Sequence, residues 1–348
     1  MAARDRVTAG LVAWYRRGHR DLPWRHTRDP YAIWLSEVML QQTRAQAAIP
    51  YYQRFLERFP NVEALAAAPE EAVLALWSGL GYYGRARNLH RAARRVVEEG
   101  GFPRRYDELR ELPGIGDYTA AAVASIAFGE RRAAVDGNVL RVVARVTGDA
   151  ADIASPGTRE RFSEVARGWM GRRDPAVFNQ ALMELGATVC LPRHPLCRAC
   201  PMEKECRALA EGTVAQLPVK LGRKQPVELA GVLLVVRRGR RVLLRQRASH
   251  VRRMAGFWDL PGPEDLPAAR LGAVLGVFRH TITHHHYRLT VREATAPETT
   301  AEATAREVTA REATVREVGG FGWFEAAQLL EIPLSTTARK GLKLAGIL

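Results

Sequence analysis

Apolar residues recur with a helical period from residue 2 to about residue 212. Asp29 is a preferred N-cap residue, Pro30 suits the first helical position, and apolar residues then recur over 33–40. Similar patterns, separated by Gly and Pro, predict further helices at 62–76, 86–99, 118–128, 139–146, 159–170 and 178–185. The sequence therefore predicts an all-helical region over residues 1–212.

The pattern changes to that of strands after a short connector. Residues 213–227 combine Pro and Gly with basic side chains, a composition typical of an exposed linker. Beyond it, β-rich runs at 228–236 and 241–245 flank a turn that contains Gly239, and they predict a hairpin. We therefore expect a multidomain protein, in which residues 228–348 form a smaller α/β domain.

A five-residue repeat built on Arg-Glu-Val-Thr-Ala lies within residues 291–318. A period of five does not place equivalent residues on one helix face. We expect this low-complexity segment to be an insertion that is extended or partly disordered, and we assign it no function.

Length and charge support this organisation and narrow the class of partner. A chain of 348 residues has room for two hydrophobic cores. Its formal net charge of +15 favours a polyanionic partner, nucleic acid first, although an arginine-rich composition alone gives the same charge. No signal-peptide pattern is present, and the longest apolar run, 229–236, is too short to cross a bilayer. We expect a cytoplasmic, nucleoid-associated monomer without a membrane partner.

All four cysteines lie between residues 190 and 206. A disulfide framework usually distributes its cysteines through a small secreted domain, so this crowding favours a metal site. Four thiolates suit either zinc or a [4Fe-4S] cluster, and ligand chemistry alone does not separate the two. The candidate ligands are Cys190, Cys197, Cys200 and Cys206.

Two carboxylates occupy positions that suit acid and anion chemistry. Glu37 lies on the apolar stripe of a helix with Ile33 and Leu40, so burial should raise its pKa and keep it protonated. Asp136 follows an apolar stretch at the start of a helix, where an N-cap position should lower its pKa. The structural alternatives are a Glu37 ion pair with Arg25 and a plain N-cap at Asp136. Together they match the acid and the anion of glycoside hydrolysis.

Two loops suit contacts with DNA. The turn over 112–116 contains Gly114 and Gly116, whose backbone amides and the following helix start could hold a phosphate, unless this is an ordinary interhelical turn. Asp117 would repel phosphate unless it caps the helix.

The loop over 79–87 carries Tyr82 and Tyr83, followed by two Arg. We predict a wedge role in DNA for Tyr82, with the Arg on phosphate, and a structural role for Tyr83.

The motifs at 22–25, 34–43, 79–89, 112–116, 135–138 and 190–206 resemble, in order and spacing, those of the MutY adenine DNA glycosylases of the endonuclease III superfamily. This resemblance implies excision of adenine paired with 8-oxoguanine or guanine in double-stranded DNA, and a [4Fe-4S] cluster on the four cysteines. It implies that Glu37 is the general acid and that Asp136 stabilises or traps the sugar cation, with support from Tyr118 and Asn138. The residues expected to contact substrate or DNA in this region are Trp24, Arg25, Leu40, Gln42, Thr43, Tyr82, Gly114, Gly116 and Gln180.

The C-terminal part resembles the Nudix-like domain of the same family through residues 256–262. By this resemblance, Thr283 and His284 would contact 8-oxoguanine, with Thr in place of the expected Ser. The neighbouring histidines could instead bind a metal. Nudix hydrolysis is disfavoured because only Glu264 and Asp265 stand where a Glu-rich metal-binding helix is needed.

The position of the lysines favours a glycosylase without lyase activity. The first lysine in the chain is Lys204, so the helical region before it lacks the amine needed for a Schiff base. Tyr118 stands where the endonuclease III pattern has a lysine. A DNA lesion binder without catalysis is the non-enzymatic alternative.

Overall fold

The computed structural model describes residues 3–222, 225–248, 256–282, 284–296, 305–306 and 320–348. The chain divides into two compact units. The first unit contains residues 1–67 and 88–223, and the second contains residues 68–87 and 224–348. The second unit thus includes a short segment of the region that the sequence predicts to be helical.

Helices form the described part of the chain up to residue 212, where no strand is found. The helices are α1 (Ala3–Gly18), α2 (Pro30–Leu40), α3 (Ala45–Arg58), α4 (Val62–Ala67), α5 (Glu70–Trp77), α6 (Gly84–Glu98), α7 (Tyr106–Arg110), α8 (Asp117–Phe128), α9 (Gly137–Thr147), α10 (Pro156–Met170), α11 (Pro175–Thr188) and α12 (Arg207–Ala210). Short 3-10 turns occur at Pro23–Arg25, Cys197–Ala199 and Glu203–Glu205.

Local sequence signals explain several helix ends. The Asp29 carboxylate accepts hydrogen bonds from the backbone N–H groups of Tyr31 (3.1 Å) and Ala32 (3.3 Å), so α2 begins as predicted. The prediction of one helix over 62–76 is wrong, because α4 ends at Ala67 and α5 begins after Pro69. Proline lacks a backbone N–H and restricts the residue before it, which breaks the helix.

The core of the first unit lies among α1, α9, α10 and α11. Phe162, Phe178 and Leu182 are almost completely buried there, together with Leu11 and Val143. Burial of a large apolar side chain contributes roughly 1.5–3 kcal/mol. This packing holds α9 and α11, which carry part of the candidate site, in fixed positions.

A mixed seven-stranded sheet forms the described part of the second unit beyond residue 224. The strands are β1 (Val227–Arg238), β2 (Arg241–Gln246), β3 (Trp258–Asp259), β4 (Arg270–Ile282), β5 (His285–Thr295), β6 (Ala305–Arg306) and β7 (Phe321–Glu325), and one helix, α13 (Thr336–Leu344), follows. The order is β4-β5-β1-β2-β7-β6, with β3 beside β2. β1 pairs with β5 in parallel and with β2 in antiparallel orientation. The predicted β1–β2 hairpin is confirmed.

The two faces of the sheet pack into separate apolar clusters. Val235 joins a cluster with Leu342 of α13, whereas its neighbours Leu234 and Val236 join a cluster with Trp323. This alternation follows the two-residue period of a strand. An α/β unit is therefore present.

The repeat over 291–318 is only partly within the described residues. Residues 291–295 belong to β5, with Val291 fully buried, and 305–306 form β6. These parts are extended, as predicted; 297–304 and 307–319 lie outside the described residues.

In the described part of the chain, no helix combines the length and apolar character needed to span a membrane.

Candidate active site

One cavity of about 950 Å³ in the first unit collects most of the residues that the sequence analysis singled out. It is lined from α2 and the turn after it, and from α8, α9 and α11. The predicted residues along its wall are Trp24, Arg25, Glu37, Leu40, Gln42, Thr43, Tyr118, Asp136, Asn138 and Gln180. Residues from five separate segments of the chain therefore face one space.

Glu37 is 5% exposed, and Tyr118 is its hydrogen-bond partner. The Tyr118 hydroxyl donates to Glu37 Oε2 at 2.6 Å. Burial raises the pKa of Glu37 to about 7, against the opposing effects of the Tyr118 hydrogen bond and the Arg25 charge. Burial also raises the pKa of Tyr118 well above its usual value, so the phenol stays a donor. Glu37 is thus poised to exchange a proton near neutral pH.

Asp136 caps α9 and is held by two donors. Its carboxylate accepts from the Val139 N–H at 2.7 Å and from Asn138 Nδ2 at 2.8 Å. Burial nevertheless raises its pKa, because desolvation outweighs these hydrogen bonds. The predicted lowering of the Asp136 pKa is therefore wrong in direction. The side chain is both an N-cap and a wall of the cavity.

Asn138 links Asp136 to a buried arginine. Arg141 Nη2 donates to Asn138 Oδ1 and to the Gly186 carbonyl, both at 2.8 Å, and Arg141 Nε donates to the Cys190 carbonyl at 2.8 Å. A Cβ at Gly186 would lie 2.6 Å from Asn138 Cβ, so glycine is needed where α11 meets α9. A continuous set of hydrogen bonds therefore joins the cavity to the first cysteine.

Arg25 pairs with Glu184 rather than with Glu37. The Arg25 and Arg20 guanidinium groups contact Glu184 Oε2 at 2.6 Å and 2.7 Å. Burial opposes ionisation of Glu184, but the hydrogen bonds from both arginines hold its pKa at about 2. The alternative in which Glu37 is a structural ion-pair partner of Arg25 is not observed. Glu184 also lines the cavity and was missed in the sequence, where nothing local distinguishes it.

The remaining predicted cavity residues differ in their surroundings. The Tyr15 hydroxyl donates to Gln180 Oε1 at 2.6 Å, which turns the amide NH₂ of Gln180 away from Tyr15. Trp24 is buried and packs edge-on against Tyr52. Gln42 follows α2 with a positive φ of 60°, an uncommon conformation for a residue other than glycine.

The turn over 112–116 joins α7 to α8, outside the residues that line the cavity. Gly114 has φ 77°, and a Cβ there would lie 2.5 Å from Asn88 Cβ. Glycine is thus required for close backbone approach. Asp117 does not cap α8, because the N-cap is Gly116; instead it pairs with Arg110 at 2.8 Å. Its charge is balanced beside the turn.

All four cysteines line one cavity, together with Arg145. Arg145 Nη1 donates to Cys190 Sγ at 3.4 Å and to the Leu191 carbonyl at 2.7 Å. Burial raises the pKa of the Cys200 thiol to about 12. Within the described residues, no three His, Cys, Asp or Glu side chains converge on a single ion position. A shared cavity with a cation beside a sulfur fits four thiolates around a compact group.

The loop over 79–87, which carries Tyr82 and Tyr83, belongs to the second unit. Tyr82 is 41% exposed, whereas Tyr83 is buried against Phe257 with ring centroids 4.0 Å apart. Arg87 Nε contacts Glu70 Oε1 at 2.8 Å, and Arg85 Nη2 donates to the Gly81 carbonyl at 3.1 Å. Both arginines thus make contacts inside the unit.

Of the residues expected to contact 8-oxoguanine in the second unit, Thr283 lies outside the described residues. His284 is half-buried and packs on His285, with ring centroids 4.1 Å apart. His286 instead contacts Glu228 Oε1 through Nδ1 at 3.0 Å.

Lys220 lines the same cavity as Glu37. The prediction from the lysine positions did not include it, because that prediction covered only the helical region before Lys204. The segment around Lys220 is part of the first unit and makes hydrogen bonds with residues 152–153. The Ile153 N–H donates to the Val219 carbonyl at 3.0 Å, and the Leu221 N–H donates to Asp152 Oδ1 at 3.1 Å. Part of the predicted linker therefore contributes to the cavity wall.

Comparisons with known proteins agree with this geometry. The family profile described as "HhH-GPD superfamily base excision DNA repair protein" matches residues 35–167. Over 233 residues the chain is 46% identical to an adenine DNA glycosylase of Mus musculus. This alignment covers 64% of this chain and 45% of the mouse protein. Over 317 residues it is 38% identical to the adenine DNA glycosylase of Homo sapiens, covering 75% and 58%. A solved thermostable thymine-DNA glycosylase matches with a TM-score of 0.55 and 31% identity, covering 60% of this chain and 97% of that chain.

The helical unit thus has the helix-hairpin-helix fold of base excision repair glycosylases. The chain belongs to the HhH-GPD superfamily of base excision DNA repair proteins. The resemblance and the all-helical glycosylase fold are confirmed. The matched region spans about half the length of these curated relatives, 45% and 58%.

Proposed function

We propose that this chain is a monofunctional DNA glycosylase that flips adenine out of duplex DNA, opposite 8-oxoguanine or guanine, and hydrolyses its N-glycosidic bond. The observation that carries the proposal is the buried Glu37, whose pKa is raised to about 7 in the cavity that also holds Asp136. Its adenine DNA glycosylase relatives support the choice of base.

Glu37 acts as the general acid in this proposal. The protonated carboxyl gives its proton to a ring nitrogen of adenine, which makes the base a better leaving group. The bond between the base and the sugar C1′ then breaks, and its electron pair leaves with adenine. Tyr118 holds the carboxyl in place through its 2.6 Å hydrogen bond. The acid form is populated below pH 7 and is lost above it.

Asp136 stabilises the positive charge that remains on the sugar. Its carboxylate is oriented by the Val139 N–H and by Asn138 Nδ2, so it can face the anomeric carbon without turning. Either water adds to the cation directly, or Asp136 first forms a covalent bond that water then hydrolyses. Both routes end in free adenine and an abasic sugar.

The base-binding part of the cavity is assigned to Trp24, Arg25, Leu40 and Gln180, with Gln42 and Thr43 at the turn after α2. A volume of about 950 Å³ is ample for a flipped base and its sugar. The turn at Gly114 and Gly116 holds a phosphate of the bent duplex through backbone amides. These contacts do not read sequence, which suits an enzyme that searches any DNA.

Recognition of 8-oxoguanine is assigned to the second unit, as a Nudix-like domain over 228–348 joined to the catalytic region 1–212 by the connector 213–227. Tyr82 would wedge into the base stack, and Thr283 and His284 would contact the oxidised base. In the described residues, 263–269 form turns rather than the metal-binding helix of a Nudix hydrolase.

A [4Fe-4S] cluster on Cys190, Cys197, Cys200 and Cys206 completes the proposal. The shared cavity and the adjacent Arg145 fit a buried, negatively charged group. When bound, the cluster supplies structural cross-linking of the loop over 190–206. An iron-dependent absorbance band near the visible region, with iron and sulfide found by elemental analysis, supports the cluster; zinc without iron contradicts it.

The deciding experiment incubates the full chain with a duplex carrying adenine opposite 8-oxoguanine, followed by alkali. Strand cleavage at the adenine is expected, and Asp136→Asn should abolish it while leaving duplex binding intact. A parallel duplex with thymine opposite guanine tests the activity named in the structural relative. Binding of the adenine duplex without cleavage would identify a lesion binder, and cleavage of thymine alone would also refute adenine excision.

Lyase activity is tested by borohydride trapping with the same duplex. No covalent adduct is expected, because Tyr118 replaces the lysine of a Schiff-base lyase and Lys220 is exposed at the cavity wall. An adduct that disappears in Lys220→Arg, but not in Lys204→Arg, would contradict the monofunctional assignment and identify the amine.

A further inference from the structure

The loop over 79–84 holds an exposed aromatic ring on an unusual backbone. Gly79, Gly81 and Tyr82 have positive φ values of 106°, 74° and 50°. Glycine adopts this region freely, but for an L-residue such as Tyr82 it costs about 1–2 kcal/mol. A residue kept in this conformation at 41% exposure must be held by its surroundings.

The base of the loop is anchored within the second unit. The hydroxyls of Ser78 and Tyr83 donate to the Leu334 carbonyl at 3.1 Å and 3.3 Å. The Tyr83 ring also packs on Phe257. These contacts fix the two ends of the loop and leave the orientation of the Tyr82 side chain to be set at the tip.

Arg85 makes the contacts at the tip. Its guanidinium carbon lies 5.4 Å from the Trp77 ring centroid and 5.5 Å from the Tyr82 ring centroid. Its Nη2 donates to the carbonyls of Leu80 at 3.3 Å and Gly81 at 3.1 Å. Trp77 Nε1 donates to the same Gly81 carbonyl at 3.2 Å.

This geometry is specific to arginine. A planar guanidinium stacks on aromatic rings and presents several donors in one plane, whereas a lysine ammonium does neither. Burial lowers the pKa of Arg85 to about 10, so the group remains a cation at neutral pH. A half-buried cation whose Nη2 group is directed to two loop carbonyls is poorly placed to bind a DNA phosphate.

We propose that Arg85 is a positioning residue that holds the Tyr82 ring and its left-handed backbone ready to stack on DNA bases. This inference rests on the proposed function for the wedge role of Tyr82. Arg85 itself touches neither DNA nor the reacting atoms. Because the loop is already ordered before binding, less conformational entropy is lost when the Tyr82 ring enters the base stack.

The first test needs no DNA. Amide hydrogen exchange of residues 79–84 is compared in the wild type, Arg85→Lys and the control Arg87→Lys. Exchange in this loop is expected to accelerate about tenfold in Arg85→Lys, because lysine lacks the planar guanidinium that stacks on the rings and donates to two loop carbonyls. The control, two residues further along the same helix, should match the wild type. Unchanged exchange in Arg85→Lys overturns the proposal whether or not the chain is a glycosylase.

The second test is a double-mutant cycle on the duplex with adenine opposite 8-oxoguanine. Arg85→Ala and Tyr82→Ala are each expected to weaken duplex binding about tenfold or more, and the double variant should be no weaker than Tyr82→Ala. The salt dependence of binding should keep its slope in Arg85→Lys and Arg85→Ala. Additive losses, or a slope lowered by about one in Arg85→Ala, would instead make Arg85 a direct DNA ligand.

The two failures are distinguishable. A chain that does not excise adenine, but whose loop exchanges faster in Arg85→Lys, loses the proposed function and keeps the positioning role. Equal unfolding midpoints of Arg85→Lys and the wild type exclude a general loss of fold. A large drop in the midpoint of Arg85→Lys, with exchange accelerated throughout the second unit, would make Arg85 a general structural residue and refute the proposal.

Discussion

Glu37 and Glu184 are two buried glutamates on the wall of one cavity, and their pKa values move in opposite directions. They are 5% and 2% exposed. The pKa of Glu37 is raised to about 7, and that of Glu184 is held at about 2. Glu37 has a neutral phenol as its partner, whereas Glu184 has two guanidinium groups.

The comparison shows that burial alone does not decide the protonation of a carboxyl group. Desolvation raises the pKa of both side chains, but two cations at hydrogen-bond distance reverse the effect at Glu184. Because the fold pairs Arg25 with Glu184, that arginine stabilises the ionised form of Glu37 too little to offset burial. One glutamate is thereby an anion that holds the pocket together, and the other is available as an acid.

The largest effect is expected for Glu37→Gln. The amide cannot donate an acidic proton, so the single-turnover rate of adenine excision should fall by roughly 10²–10⁴. Binding of the duplex should be nearly unchanged, because the shape of the side chain is kept. Excision at more than a tenth of the wild-type rate would show that Glu37 is not the acid.

Glu184→Gln should act on stability. Removal of the Glu184 charge leaves the buried Arg25 without its ion-pair partner, so the free energy of unfolding should fall by roughly 2–4 kcal/mol. This range is reduced from that of a fully buried pair, because Arg20 is partly exposed to solvent. Urea denaturation at neutral pH measures this change. The control Glu164→Gln removes the exposed pair with Arg167 and should change stability little. Equal effects of the two variants would contradict the comparison.

The pH dependence of stability should have opposite signs at the two glutamates. The folded state binds the Glu37 proton more tightly than the unfolded state does. The free energy of unfolding should therefore fall by about 3 kcal/mol as pH rises from 4.5 to 7. The contribution of Glu184 is complete above pH 4.5 and is lost as pH falls toward 2. Unfolding free energies of the wild type, Glu37→Gln and Glu184→Gln across this range measure both slopes. A slope that persists between pH 4.5 and 7 in Glu37→Gln would assign it to another group.

Tyr118→Phe should have the smallest effect. Loss of the hydroxyl removes a hydrogen bond that lowers the Glu37 pKa, so the alkaline limb of the excision profile should shift to higher pH. Less precise orientation should reduce the rate by up to about tenfold. Single-turnover rates from pH 5 to pH 9 separate the two effects. A shift to lower pH would contradict the assigned direction.

Much of the helical unit and of the site was predictable from local patterns. The apolar stripe around Glu37 predicts its burial, because a helix face with that period must pack inward. The Asp29 cap and Pro30 predict the start of α2, and the spacing of the four cysteines predicts a shared site. These signals lie within one turn or one short loop, where sequence distance and spatial distance agree.

Other features depend on contacts between distant segments. The sequence does not indicate that Tyr118 meets Glu37, that Arg25 chooses Glu184, or that Lys220 reaches the cavity. The raised pKa of Asp136 also escaped prediction, because the cap is local but the burial comes from packed helices. Desolvation is set by every neighbour, so only the assembled fold determines its size.

The sequence alone indicated an all-helical region followed by a region with strands, the positions of both carboxylates and, through its motifs, the class of chemistry. The tertiary structure decided which carboxyl group carries a proton and that the Tyr82 loop belongs to the unit containing the sheet. The physical reason is the range of the forces. Backbone preferences and side-chain periodicity act over a few residues, whereas burial and charge pairing act across space between residues far apart in the chain.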